Sequence, residues 1–426
     1  MAEPTTTSDR AVSAPVPLWR NRPFALFWVA QLLSNTGTQV SELAIPLTAV
    51  LLLSATPAEM GVLTAMEALP SLVLGLFLGV LVDRVRRGRL LFWCNVGQGV
   101  LIGTIPVAAL LGWLTLPQLY VVMFAVSGLA LAYGLALDAY VPALVGNGRQ
   151  LAAANSGMAV SDSVTAVGGP GLGGVLVQAL TAPIAVTVDA ASFLVAAVLQ
   201  RAGLHHDPPP APAAALDVPP GRLGRSLREG LRAFTRHRGV VTLTLAKAIP
   251  DFFHWGVLAL FVLYAVRELH FSAATIGLIA MVSSLGPLLA GAIATPVSRR
   301  FGVAPTVVLA TVCFGGANLP VPFASGPTWL VIATVAFAGF VGGLGVVYLI
   351  IVRVTMLQQT VEPHLLGRVG AVIRLVEWGP GPVGGIAGGL LGEALGLHDA
   401  LVVLGLGGLL AVPVVVYAAT RGWLRT

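Results

Sequence analysis

Five polar side chains, Gln31, Asn35, Thr38, Gln39 and Glu42, recur within an otherwise apolar stretch at steps of four, three, one and three. On a helix those steps gather them on one face. A second stretch repeats the device with Thr244, Lys247, Asp251 and His254. Such stripes can bind a small polar or charged molecule, exchange protons, or hydrogen-bond one helix to the next. The last use accounts for Asn35 and Gln39. It does not account for Glu42, whose carboxylate needs a cation or a proton and finds no cation on its own helix. Lys247, the only lysine, stands one turn before Asp251, so the two either neutralise each other or present charge to a cavity. Glu67 and Asp162 are further acids in apolar surroundings, and Glu377 either pairs with Arg374 or joins the same cavity. Asp138 and Arg353 lie five residues after Tyr133 and Tyr348. Their opposite charges read either as a gate between two halves of the molecule or as independent anchors. Trp28, Phe252, Phe253, Trp255 and Trp378 would give the cavity an apolar, aromatic lining.

Nothing in the chain points to metal, nucleophilic or nucleotide chemistry. His205 and His206 lie in a proline-rich segment, Cys94 and Cys313 each sit alone in apolar runs, and no Walker-type glycine loop occurs. No cofactor or metal is therefore expected, and a membrane-embedded enzyme is the weaker reading.

The elements that must position these groups are membrane helices. Of 426 residues 56% are hydrophobic and only 10% charged, and the mean hydropathy is +0.89. Apolar runs long enough to span roughly 30 Å of hydrocarbon recur along the chain. Twelve are predicted, at about 24–53, 58–82, 90–112, 116–138, 157–180, 183–203, 240–266, 272–297, 303–323, 327–352, 366–395 and 398–419. The loops sort by charge. Arg22, the Arg84–Arg89 cluster, Arg149, Arg201, Arg299, Arg300, Arg368 and Arg421 all fall on one side if the helices alternate, whereas the other side carries only Arg267. Short loops rich in arginine stay in the cytoplasm, so both termini are expected there, in a multi-pass protein of the cell membrane. The same segregation explains the pI of 9.9 without nucleic acid.

Residues 1–20 lack the apolar core of a signal peptide and read as a disordered cytoplasmic tail. A six-helix half, 21–203, is followed by a cytoplasmic linker, 204–238, a second six-helix half, 239–420, and a tail, 421–426. The linker opens with a Pro-rich run. It continues with Arg225, Arg228, Arg232 and Arg236 between Leu227, Leu231 and Phe234, the pattern of an amphipathic helix at an anionic lipid surface or of a solvated charge run. The halves repeat. An offset of 215 carries Tyr133 onto Tyr348 and Gly169, Gly173 and Gly174 onto Gly384, Gly388 and Gly389. Duplicated six-helix units are a common architecture of secondary transporters.

Between the second and third helices, Gly79, Asp83, Arg84, Arg86, Arg87, Gly88 and Arg89 place five charges in seven residues. Asp83 ends a helix, where the macrodipole disfavours an anion, and so calls for a cationic partner. This stretch resembles the loop signature of the major facilitator superfamily. In the fifth helix Gly169, Pro170, Gly173 and Gly174 resemble the core of that superfamily's exporter motif, although Ser156 and Thr165 stand where the motif has glycines. The lead-in Asn21, Arg22, Pro23 and Phe24, the stretch Leu151–Ser156 and the turn Leu366–Val369 are similar to its enterobactin-exporter and macrolide-efflux branch. The resemblance implies an all-α fold of twelve transmembrane helices in two pseudo-symmetric halves. It also implies a monomeric secondary transporter, embedded in membrane lipids, that exports amphipathic organic molecules against protons by alternating access. In that picture Asp83 and Arg84 hold the outward-facing state by pairing across the halves. The chain departs from proton-coupled drug exporters in one respect, for no basic residue lies within 116–137. An importer or facilitator of the same fold, and a non-transporting receptor, are the rival expectations.

Overall fold

The structure, a computed structural model, describes residues 21–146, 148–203 and 222–424, without the side chains at 76, 80, 83 and 222–227. The expected N-terminal tail, the Pro-rich part of the linker and the last two residues lie outside the described residues. So does the pairing expected of the Asp83 side chain.

The described chain is built from helices. The first half holds α1 (Arg22–Leu51), α2 (Pro57–Arg84), α3 (Arg87–Leu110), α4 (Leu116–Val145), α5 (Arg149–Leu180) and α6 (Ala182–Gly203). An amphipathic helix, α7 (Arg222–Arg236), precedes the second half. There α8 (Arg238–Arg267), α11 (Val303–Gly316) and α12 (Thr328–Thr360) are continuous. Three crossings are each made of two pieces: α9 (Ala273–Ser283) with α10 (Leu285–Phe301), α13 (Leu366–Trp378) with α14 (Pro380–Leu395), and α15 (Leu397–Gly408) with α16 (Ala411–Thr420). Setting α7 aside, the described helices make twelve rods, six in each half.

The helix ends differ from the hydropathy reading for identifiable reasons. The fourth and fifth helices run into 139–156, between the two predicted spans, and stop only at Gly146 and Gly148, both at positive φ. Alanine and leucine sustain a helix beyond the apolar window. The tenth crossing likewise continues to Thr360, so Asp138 and Arg353 lie inside helices rather than at their ends. The breaks fall at Ser284, at Gly379 before Pro380, and at 409–410 before Pro413. Proline at the start of α14 suits a new helix and cannot extend the old one.

Two of the crossings begin with matching caps. Thr56 and Glu59 close a capping box on α2, and the Ser272 hydroxyl accepts from the Thr275 amide (3.2 Å) at the start of α9. The amphipathic α7 is docked rather than simply laid on a surface. It buries Ala233 and Phe234, presses Gly230 on the Arg368 backbone, and pairs Glu229 with Arg368 (2.6 Å) at the start of α13.

The halves meet through two equivalent contacts. Helix α5 packs on α9, and α14 packs on α2. At the first, a Cβ on Gly174 would lie 2.7 Å from the Ala273 carbonyl oxygen and 3.0 Å from the Gly277 Cα. At the second, a Cβ on Gly389 would lie 2.7 Å from the Pro57 carbonyl oxygen and 2.8 Å from the Gly61 Cα. Only glycine allows backbones so close. The repeated glycines therefore have a packing reason, and the 215-residue offset maps one inter-half contact onto the other. Gly169 and Gly173 seat α5 on Gln39 and Val40 of α1, while Gly384 and Gly388 seat α14 on Phe252 and Gly256 of α8.

Candidate translocation site

Both glycine contacts lie at the end of the bundle away from the Arg84–Arg89 loop. Two further contacts cross between the halves there. The Arg267 guanidinium donates to the Ala55 carbonyl (2.7 Å), and the Ala58 amide donates to the Glu393 carboxylate (3.4 Å). Toward the basic end the halves part. Gly79 on α2 and Gly291 on α10 have nothing within 4 Å of where a Cβ would be, and Phe77 is exposed. Midway, Trp378 at the end of α13 leans on Gly75 of α2. At the basic loop itself Arg84, Arg86 and Arg89 are exposed around Trp93, lining a groove of about 360 Å³. Arg87 opens α3, and Gly88 is buried in its first turn. Arg84 makes no ion pair among the described residues.

The polar stripe of α1 is split between two tasks. Toward the basic end it anchors a hydrogen-bonded chain through the first half. Asn95 on α3 donates to Gln200 on α6 (3.0 Å), and Gln200 donates to the Tyr133 hydroxyl on α4 (2.8 Å). Tyr133 donates to Gln31 (2.6 Å), Gln31 to Asn35 (2.8 Å), and Asn35 to the Asp162 carboxylate on α5 (2.8 Å). Every donor points the same way, and the chain ends on an acid. Bonds so aligned polarise one another. Trp28 donates to Ser161 (2.8 Å) beside it.

Farther along α1, Gln39 donates to Glu42 (2.9 Å), and Thr38 donates to its own helix at Ser34 (3.0 Å). Glu42 is exposed although it lies within electrostatic reach of Glu67 on α2 and Asp189 on α6. Acids from α1, α2 and α6 thus come within electrostatic reach of one another inside the first half. Asp162 is exposed as well, and Glu67 is half-buried. No cation pairs with Glu42, Glu67 or Asp162 among the described residues.

The second half treats charge differently. Lys247 pairs with Asp251 on α8, both largely buried. Arg353 on α12 pairs with Glu377 on α13, also largely buried, and Asp251 lies within electrostatic reach of Arg353. Two sequence expectations are corrected here. Glu377 takes Arg353 rather than Arg374, which is exposed. The Asp138–Arg353 pair is not made either. Arg353 is satisfied inside its own half, and Asp138 is exposed without an ion pair among the described residues. His254 is exposed between Asn318 (3.4 Å) and the Phe314 ring (5.8 Å between ring centroids), and Phe252 packs edge-on to Phe253.

Sequence reasoning passed over Asp189, which is completely buried on α6, and the buried amides Asn95 and Gln200. An acid in the middle of the apolar run 183–203 was the available signal.

Two six-helix halves, tied at one end, parted at the other and lined by ionisable groups between, define a membrane transporter of the major facilitator type. Residues 12–423 match the transmembrane secretion effector family, and the chain belongs to that family. It is similar to an uncharacterized MFS-type transporter, YfiS, of Bacillus subtilis (strain 168), at 28% identity over 91% of each chain. It is also similar to the multidrug efflux pump Tap of Mycolicibacterium fortuitum, at 26% identity over 93% of this chain and 95% of that one. In fold it matches the crystal structure of the nucleoside transporter NupG with a TM-score of 0.74, covering 95% of this chain and 99% of that chain at 11% identity. The protein is thus a multi-pass membrane transporter and not an enzyme.

Proposed function

We propose that the protein is a secondary active exporter of small amphipathic organic molecules, exchanging them for protons by alternating access. The observation that carries this reading is the arrangement of the two halves, closed by paired glycine contacts at one end and parted at the other, with the exposed acids Glu42 and Asp162 on the first half. With the basic loops in the cytoplasm, the parted end opens inward, where an exporter loads its cargo. The aromatic side chains Trp28, Phe252 and Trp378 suit an apolar cargo, and the likeness to a multidrug efflux pump supports export.

The protein works as a monomer in the cell membrane, with both termini cytoplasmic and no cofactor. Protons reach the cycle through the acids of the first half, of which Glu42 and Asp162 meet the cavity directly. Glu67, on α2, lies within electrostatic reach of Glu42. Gly79, Asp83 and Arg84 act at the cytoplasmic gate and favour the outward-facing state.

A susceptibility panel in a host stripped of its own pumps identifies the cargo class. Inside-out vesicles with an imposed pH gradient then test direction and coupling. Concentrative uptake that collapses with the gradient is the expected result. Uptake indifferent to the gradient would favour a facilitator, and accumulation only in right-side-out vesicles an importer. In the same assay, Asp83→Asn should slow transport several-fold while insertion stays intact.

A further inference from the structure

We infer that Asp189 and Ser41, at the contact of α6 with α1, form a buried proton-holding site distinct from the acids that meet the cavity. This deepens the proton-coupled reading and rests on it. Asp189 is 0% exposed and Ser41 4%. The Asp189 Oδ2 and the Ser41 hydroxyl are both fully buried and make no well-aligned hydrogen bond among the described residues, although Ser41 lies within reach of the carboxyl. The other carboxylate oxygen accepts from Ser192 one turn along α6, at 3.4 Å. Space for the carboxyl comes from Gly37, one turn before Ser41, since a Cβ there would lie 2.6 Å from the Asp189 Oδ1.

The charged neighbourhood decides what occupies the site. From α1 the titratable group facing it is Glu42, the residue after Ser41, with Glu67 of α2 within reach of Glu42 in turn. Helix α3 meets this level with Gly99 and Gly103, and its nearest titratable side chain is Cys94. On α5 the acid is Asp162, held by Asn35. No lysine, arginine or histidine pairs with Asp189 among the described residues. An ionised carboxylate without a cation is poorly solvated in such a place, and a proton on it removes that penalty. A hydroxyl on Oδ2 can then donate to the Ser41 oxygen and satisfy both orphaned atoms.

The physical consequence is a switch at a helix contact. With the proton on, α1 and α6 pack as seen. When it leaves for Glu42 and the cavity water, an unpaired charge remains between the helices, and this packing is disfavoured against any state that hydrates it. Two helices of one half thereby sense the proton gradient, and α1 passes that sense to α5 through Gln39 and Val40.

The test uses the full-length protein in liposomes. Infrared difference spectra across a pH titration should show a protonated carboxyl band, shifted in deuterium oxide, that disappears in Asp189→Asn and survives in Glu42→Gln. The same Asp189→Asn protein should keep substrate counterflow and lose accumulation driven by a pH gradient. A band that persists in Asp189→Asn, or wild-type accumulation by that variant, overturns the inference while leaving proton-coupled export standing. A band lost in Asp189→Asn from a protein that never responds to pH gradients supports the buried site and removes the antiport reading. If Asp189→Asn does not fold, Ser41→Ala decides. Losing the hydroxyl should move the band to higher wavenumber, and an unmoved band overturns the inference. A wild-type protein with no such band, whose transport instead requires sodium, overturns it as well.

Discussion

The two halves share a fold and a glycine repeat but manage their membrane-embedded charges in opposite ways. In the second half the two largely buried acids have cations: Lys247 serves Asp251, and Arg353 serves Glu377. In the first half Glu42, Glu67, Asp162 and Asp189 have none among the described residues, and a chain of neutral donors from Asn95 to Asn35 leads to Asp162 instead. Paired charges neutralise each other within the fold, whereas acids met only by amides and hydroxyls have no counter-charge there. On the proposed function, the ion pairs of one half serve the scaffold and the unpaired acids of the other serve proton exchange.

The contrast can be broken most forcefully at Lys247. Asp251→Asn should strand that ammonium and destabilise the protein by ~3–5 kcal/mol, as removing one partner of a buried pair does. Thermal unfolding followed by size exclusion would show it, and Lys247→Met in the same background should restore much of the loss. The equivalent change in the other half, Glu42→Gln, should leave the melting temperature within error of wild type while abolishing pH-driven efflux and sparing substrate binding. Equal destabilisation by both variants would erase the distinction between the halves.

Overpacking the shared glycine contacts comes next. Gly174→Val or Gly389→Val should cost about 1–3 kcal/mol of the tied state. Cysteines placed near Pro57 or Ala273 should then label faster from the outer side. A smaller effect is expected at Tyr133→Phe, which removes one donor from the chain and should cost about 1 kcal/mol, with a modest rise in substrate KM. Smallest of all, Asp138→Asn should change neither stability nor transport. A large loss there would mean that this carboxylate finds a partner in another state of the cycle.

Much of this was legible in the sequence. The polar steps along 31–42 mark a helix face, and the 215-residue offset picked out glycines that do prove equivalent in space. What escaped was tertiary. Arg374 and Glu377 are three residues apart, which suggests a local pair, yet Glu377 turns to Arg353 across a helix boundary. The helix extensions at 139–156 carry no hydropathy signal, because alanine and leucine continue a helix in water as readily as in lipid. The breaks at Ser284 and Gly379 interrupt runs whose hydrophobicity does not change. Asp189 was visible as an acid in an apolar run, but its isolation depends on Gly37, Ser41 and Ser192 meeting it from two helices.

The paired glycine contacts also bear on assembly. Each half presents one donor surface, around Gly174 or Gly389, and one acceptor surface, around Gly277 or Gly61. Donor of the first meets acceptor of the second, and donor of the second meets acceptor of the first. That is the logic of an isologous dimer, in which one patch and its complement occur on both partners and a single two-fold rotation closes the interface. Each half is thus shaped to recognise something very like itself. The peptide connection between them need not specify how they dock; its effect is on stoichiometry, guaranteeing that the half with paired charges always meets the half with unpaired ones and never a second copy of its own kind.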